Sequence, residues 1–433
     1  MRTRFAGATL IDGTGAAARR DMTVEVEDDT ITTIATTSGS GGPAAGVELV
    51  DARGLTLLPG LIDGHVHLLL QPDVAHPGDW ERAQDDDDAT LLLRAGAAAA
   101  RLLCGGVTTA RDCGGRGDLP LVVRDAIARG TMPGPRILVS GPVITRTGGH
   151  GHRFGMMADD AADLRRVARQ LLDSGVDCLK IMATGGNLSA DSRPELAQFS
   201  AVELAVVVAE AHRRGRKVTA HAHARAGIAN ALEAGVDSLE HCSWLGPSGR
   251  DYDPTLVEQM VRNGTFVDFT PAVSYRLVEG RQAGWSALRT RLRQVREIRL
   301  PTMLPMWSAG VRFSLGSDAG TPFTYFEDFA LVLEMSVLEA GLPADVVIAA
   351  ATGGAARSLG ISGETGTIET GKAADLLLLE GDPLSDIRAL RRVRRVYRSG
   401  RLAARDGRVV VTERDLAYVP PTVPVTPMAR DGG

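Results

Sequence analysis

His65 and His67 stand two residues apart in LIDGHVHLLL, and His221 and His223 repeat the spacing in VTAHAH. On a β-strand, residues two apart share a face, so each pair aims two imidazoles in one direction. Two converging imidazoles can grip a borderline cation such as zinc. His241 in SLEHCS and Asp318 in LGSDAG add a further imidazole and a carboxylate. One His-x-His pair arises readily by chance, but the whole set does not. Of the nine histidines, five fall at the ends of segments that read as strands, where chance would scatter them over helices and loops.

The positive charge is carried almost wholly by arginine; Lys180, Lys217 and Lys372 are the exceptions. Lys180 lies in CLKIMATGG, a run too apolar for a solvated ammonium. Burial disfavours the charged form of an amine, and a neutral amine can take up carbon dioxide to become a carbamate. That group is an anionic two-oxygen ligand able to bridge two cations. Arginine cannot play this part, because it stays protonated in proteins. The competing reading is a lysine paired with a nearby carboxylate.

The elements that must position these groups follow from apolar runs. Strand-like segments begin at Leu61, Val107, Arg136, Cys178, Val218, Ser238, Phe266 and Arg312, with Ala/Leu/Arg-rich helical stretches such as 164–173 and 201–214 between them. Eight βα units predict an α/β fold, a closed (β/α)8 TIM barrel, spanning residues 60–360. Active sites of such barrels sit at the C-terminal ends of the strands, where the candidate residues lie. Residues 1–59 hold short alternating strands (22–27 and 30–34) and a Gly/Ser/Pro loop at 38–46. Residues 361–433 return to strands at 375–379, 393–397 and 408–411 before a tail that reads as mobile. The two terminal segments are expected to pair into a small β-sandwich domain beside the barrel.

HVH after LPGLID, then KIMATGG, AHAH, SLEH, GSDAG and the C-terminal GTIETGKAADLLLLEGDPLSDI together resemble the amidohydrolase superfamily over nearly the whole chain. The likeness points to its binuclear branch of Xaa-Pro dipeptidases (prolidases) and ochratoxinase-like amidases, in the imidazolonepropionase-like group. It implies two divalent ions, zinc by expectation. His65, His67 and Asp318 would hold the more buried ion, and His221 and His241 the second. Lys180, carboxylated by carbon dioxide, would bridge them. His223 would touch the substrate, and so would His150 in the glycine-rich loop 147–152, which could otherwise be an incidental loop histidine. The implied reaction is hydrolysis of an amide bond in a dipeptide or N-acyl amino acid. Asp318 would take the proton of the attacking water and pass it to the leaving amine, with His223 assisting the oxyanion. Relatives of this kind are often homo-oligomers.

Other signals are weaker. In TPFTYF, Phe323, Tyr325 and Phe326 are pocket walls or barrel packing, Tyr325 being the candidate for substrate contact. Gly185-Gly186-Asn187 resembles the 147–152 loop in kind. Cys242 should turn away from the barrel interior, opposite His241. Asp85 to Asp88 read as a solvated helix start rather than a calcium loop, and RALRRVRRVYRSGR as a solvated sheet face. A net charge of −5 gives no general attraction to nucleic acid or anionic membrane. The N-terminus lacks a secretory apolar stretch, no run approaches a membrane span, and the four cysteines show no disulfide spacing; a cytoplasmic enzyme is expected. The rival readings are a hydrolase of a cyclic amide, carbamate or urea on the same site, a single-metal deaminase, and a non-catalytic barrel scaffold.

Overall fold

A computed structural model describes residues 1–39, 45–189 and 192–410. The expected mobile tail, the end of the last strand at Val411 and part of the loop at 38–46 lie outside the described residues. Every predicted barrel strand is present: β1 (Leu61–Val66), β2 (Val107–Asp112), β3 (Arg136–Val139), β4 (Cys178–Met182), β5 (Lys217–Ala224), β6 (Ser238–Gly246), β7 (Phe266–Phe269) and β8 (Arg312–Leu315). Neighbours pair in parallel from β1 to β3 and from β4 to β8. The two arcs meet where Asp177 N donates to Val139 O at 2.8 Å. They meet again where Ile144, just beyond β3, pairs with Ile181 of β4. At the other seam Asp318 N donates to His65 O and His67 N to Ala319 O, both at 2.8 Å. The ring is therefore closed, and the hydrogen bonds that close it run through candidate ligands.

The strands are buried on both faces, which is why they read as unbroken apolar runs rather than alternating ones; β1, β2 and β4 are buried at every position. Helices cover the outside, and their ends follow ordinary capping chemistry. Ser200 and Glu203 form a capping box at the start of helix Ala201–His212. Asp87 caps helix Asp88–Cys104 by accepting from Thr90 N at 2.8 Å, so the aspartate run is a helix start, with Asp85 and Asp88 paired to Arg153 and Arg116.

The small β-domain is one continuous nine-stranded mixed sheet drawn from both termini. Its seam is the antiparallel pairing of Leu55–Pro59 with Leu376–Glu380. Alternate residues of that seam serve two cores. Leu57, Leu376 and Leu378 pack with Phe5, Val24 and Tyr397, whereas Leu58, Leu377 and Leu379 join the barrel core. The basic stretch contributes strand Val393–Arg398, with Val396 and Tyr397 turned inward and buried. No helix among the described residues is long and apolar enough to cross a membrane.

Candidate metal centre

The C-terminal ends of the strands bring His65, His67, Lys180, His221, His223, His241 and Asp318 around one cavity, which His150 also lines. All except His150 are at most 7% exposed. His65, His67 and Asp318 form one cluster of potential ligand atoms and His221, His223 and His241 another, each within 4.8 Å. In the first, the Nε2 atoms of His65 and His67 are 3.3 Å apart, and Asp318 Oδ1 is 3.4 Å from each. Lys180 Nζ lies 3.5 Å from His65 Nε2. In the second, the His221 and His241 rings are 4.7 Å apart, and His223 stacks on His241 at 4.9 Å.

The outer nitrogens of these rings are tied to the barrel. His65 Nδ1 meets Glu240 Oε2 at 2.7 Å, His67 Nδ1 meets Gly114 O at 3.0 Å and His241 Nδ1 meets Thr270 Oγ1 at 2.8 Å. A hydrogen on Nδ1 leaves the Nε2 lone pair free, the arrangement expected of metal-ligating histidines. His221 is held the other way round: Nε2 donates to Gly185 O at 3.1 Å, leaving Nδ1 for a ligand. His223 contacts Ser243 Oγ through Nδ1 at 2.9 Å and the Asn187 side-chain amide through Nε2 at 3.4 Å.

Electrostatics keep most of the imidazoles neutral; His67 is the exception, where burial opposes the charge but Asp318 draws the pKa above the usual histidine value. Burial, then the charge of Lys180, lowers His65 to about 4. His221, His223 and His241 are driven well below the usual histidine range by burial first and by neighbouring positive charge second. Burial also lowers His150 to about 4; its Nδ1 meets Ser189 Oγ at 3.0 Å. Neutral imidazole is the form that binds a cation. Burial works against the charge of Asp318, but His65, His67 and Lys180 hold its carboxyl well below the ordinary range.

Local backbone geometry serves the same end. Asp318 (φ 61°) and His241 (φ 66°) both occupy the left-handed region, costly for residues with a side chain. Asp63 clamps the turn before Asp318 by accepting from Ser317 N at 2.9 Å and Ser317 Oγ at 2.6 Å. A Cβ at Gly316 would fall 2.5 Å from His65 Cβ, and one at Gly186 would strike the His150 ring. Both close approaches therefore require glycine.

Three expectations from the sequence need placing. Tyr325 is not brought to the cavity: it is half-buried beneath the Arg276 guanidinium, 5.8 Å from its ring centre. Phe323 and Phe326 are packing residues of two apolar clusters. Cys242 is fully buried in the barrel core.

Two functional features had not been anticipated. Glu240 and Arg111 lie behind the site, with Arg111 Nη2 2.6 Å from Glu240 Oε1 and Arg111 Nε donating to Gly64 O at 2.8 Å. Arg299, on helix Ser286–Ser308, reaches the cavity wall.

A closed parallel barrel with imidazoles, a carboxylate and a buried lysine gathered at its strand ends offers a donor set that suits divalent cations. The chain belongs to the amidohydrolase family, whose model matches residues 56–403. It is an enzyme that hydrolyses carbon–nitrogen bonds, in a family that generally uses metal ions. It is 31% identical to ochratoxinase from Aspergillus niger over 382 residues, 80% of this chain and 75% of that protein. The crystal structure of a Xaa-Pro dipeptidase with methionine bound in its active site superposes with a TM-score of 0.81 at 29% identity, covering 93% of this chain and 99% of that one. That of A. niger ochratoxinase gives 0.79 at 28% identity, covering 93% and 95%.

Proposed function

We propose that the protein is a binuclear metal-dependent amidohydrolase that cleaves the amide bond of a dipeptide or N-acyl amino acid. The observation that carries this reading is Lys180. It is 1% exposed beside His65, and among the described residues no carboxylate lies within ion-pairing distance of its amine. This disfavours the structural alternative of a paired lysine. A buried ammonium whose only partner is an imidazole carries a desolvation cost that no carboxylate offsets, whereas a carbamate there has the charge and reach to join two cations. The donor set fits divalent ions, zinc foremost. The Nε2 atoms of His65 and His67 and Asp318 Oδ1 crowd together in the manner of ligands around one centre, and His221 and His241 offer lone pairs for a second. His65, His67 and Asp318 would hold one ion, His221 and His241 the other, and carboxylated Lys180 both.

Bound there, the ions would supply a nucleophile at neutral pH and a Lewis acid for the scissile carbonyl. Asp318, unprotonated and facing the cavity, accepts the proton of the attacking water and returns it to the leaving nitrogen. With the Asn187 amide nitrogen turned away from His223 Nε2 and Ser243 Oγ–H donating to Nδ1, Nε2 carries a hydrogen that can donate to the carbonyl oxygen as charge builds. His150, held by Ser189, borders the substrate. The choice of a peptide-like amide draws on the likeness to ochratoxinase and a Xaa-Pro dipeptidase. Cytoplasmic residence is proposed on the four free cysteines and the sequence expectation, and homo-oligomeric assembly on the family resemblance alone.

Elemental analysis of protein purified without chelators tests the centre. About two divalent ions per chain are expected, falling in Lys180→Ala. One ion per chain, unaffected by that substitution, would make Lys180 structural and end the binuclear reading.

A further inference from the structure

Arg299 is a buried cation without a counter-charge. The residue is 1% exposed, yet among the described residues no carboxylate stands within ion-pairing distance of its guanidinium. Its Nη1 donates to Thr270 Oγ1 at 3.0 Å, the same hydroxyl that meets His241 Nδ1. Its Nε is buried with no hydrogen-bond partner. Burial draws its pKa down to about 10, against the pull of Asp318, so it stays charged at neutral pH. It lines the same cavity as His223, and after burial its charge is the largest influence lowering that imidazole's pKa. Buried charges are normally paired, because an unpaired one costs several kcal/mol. A guanidinium on a cavity wall with donors to spare is matched by an anion that enters the cavity, and its planar fork suits a carboxylate. Val295 and Leu292 line the same wall, one and two turns earlier on the helix respectively, and offer an apolar bed for the side chain adjoining that carboxylate.

We propose that Arg299 anchors a free carboxylate of the substrate beside the second histidine group, so that the enzyme selects acids over their amides or esters. This rests on the amidase reading and sharpens it. The leaving residue is an amino acid with its carboxylate free, and neutral carbamates and ureas lack the anion that Arg299 awaits.

Calorimetric titration of the metal-loaded enzyme with N-ethyl-L-leucine and N-ethyl-L-leucinamide, which lack the acyl carbonyl and so have no acyl bond to split, isolates the carboxylate, the only group in which the two differ. The parent is expected to bind the acid roughly 10- to 100-fold more tightly, the range for a hydrogen-bonded charge pair. Arg299→Met should erase that preference by weakening the acid alone, and Arg299→Lys should keep part of it. No preference in the parent, or a preference that survives in Arg299→Met, overturns the proposal. So does an equal loss of acid and amide binding in both variants, which would make Arg299 a support for the wall. Binding is read without turnover. An acid preference lost in Arg299→Met, in an enzyme that splits no amide, would keep the anchor and discard the amidase reading.

Discussion

Replacing Glu240 by glutamine tests how much the centre depends on the groups behind it. Glu240 is fully buried, and its two oxygens serve three donors: His65 Nδ1–H, Arg111 and the Thr219 hydroxyl. Burial opposes its charge, but Arg111, Lys180 and His65 hold its carboxyl well below the ordinary range. An amide of the same shape turns one acceptor into a donor, which must then face either His65 or Arg111. Removing one partner of a buried ion pair costs about 3–5 kcal/mol. Here a second carboxylate limits the loss. Asp268 Oδ2 lies 3.6 Å from the same Arg111 nitrogen, and burial together with the charge of Glu240 pushes the pKa of Asp268 well above the usual value. With Glu240 neutral, Asp268 can ionise and take over Arg111. The expected cost of Glu240→Gln is therefore about 3 kcal/mol, read from equilibrium urea denaturation of the metal-free enzyme. Metal affinity should also fall, roughly 10- to 100-fold against a chromophoric chelator, because His65 loses the carboxylate that orients it. Adding Asp268→Asn should cost more than the sum of the single changes. An unmoved midpoint with unchanged metal affinity would refute the positioning role, and strict additivity in the double variant would refute the compensation.

Asp318→Asn keeps the volume of the side chain but removes its capacity to accept a proton; kcat should drop roughly 10²- to 10⁴-fold with KM changed only a few-fold. Near-normal turnover would remove Asp318 from proton transfer. Because Tyr325 stands off the cavity under Arg276, Tyr325→Phe should leave KM within about twofold, and Tyr325→Ala should cost only the cation–π contact, about 0.5–1 kcal/mol of stability. A tenfold rise in KM in either variant would return Tyr325 to the substrate.

The barrel was legible because parallel strands buried on both faces write themselves as apolar runs, and all eight expected starts fall on strands. The histidine pairs were legible because period two operates on β1 and β5. Glu240 was hidden by the same rule. It precedes His241, so simple alternation turns it out of the barrel, but His241 (φ 66°) and Cys242 (φ 46°) break the extended backbone. Both Glu240 and His241 consequently face inward. Tyr325 misled because closeness to Asp318 in the chain was taken for closeness in space. The chain folds away at Thr324, whose Oγ1 accepts from Ser274 N at 2.8 Å, and Tyr325 follows on the outside. Arg299 left a trace that could have been read. In a helix crowded with arginines, it is the one that follows Leu288, Leu292 and Val295 along the apolar stripe, with Met303 next. An arginine in a position that calls for leucine marks a buried charge.

The charges of the barrel interior argue in the same direction as the ligands. Five buried carboxylates (Asp63, Asp112, Glu240, Asp268 and Asp318) stand against the buried cations Arg111, Lys180 and Arg299. Burial pushes Asp63 up to about 7 and Asp112 up to about 6, so at neutral pH Asp112 is already mostly ionised and a nearby positive charge would complete the ionisation of Asp63. Both also hold the backbone around the centre: Asp63 binds Ser317 and His65 N, and Asp112 binds Leu68 N and Gly114 N. A fold stabilised only by packing has little use for such a surplus of acid, since each buried carboxyl costs desolvation that an apolar residue would not. The surplus makes sense as a counterweight to cations held by the histidines. The proposed carboxylation of Lys180 would add to it, replacing one of the three interior cations with an anion.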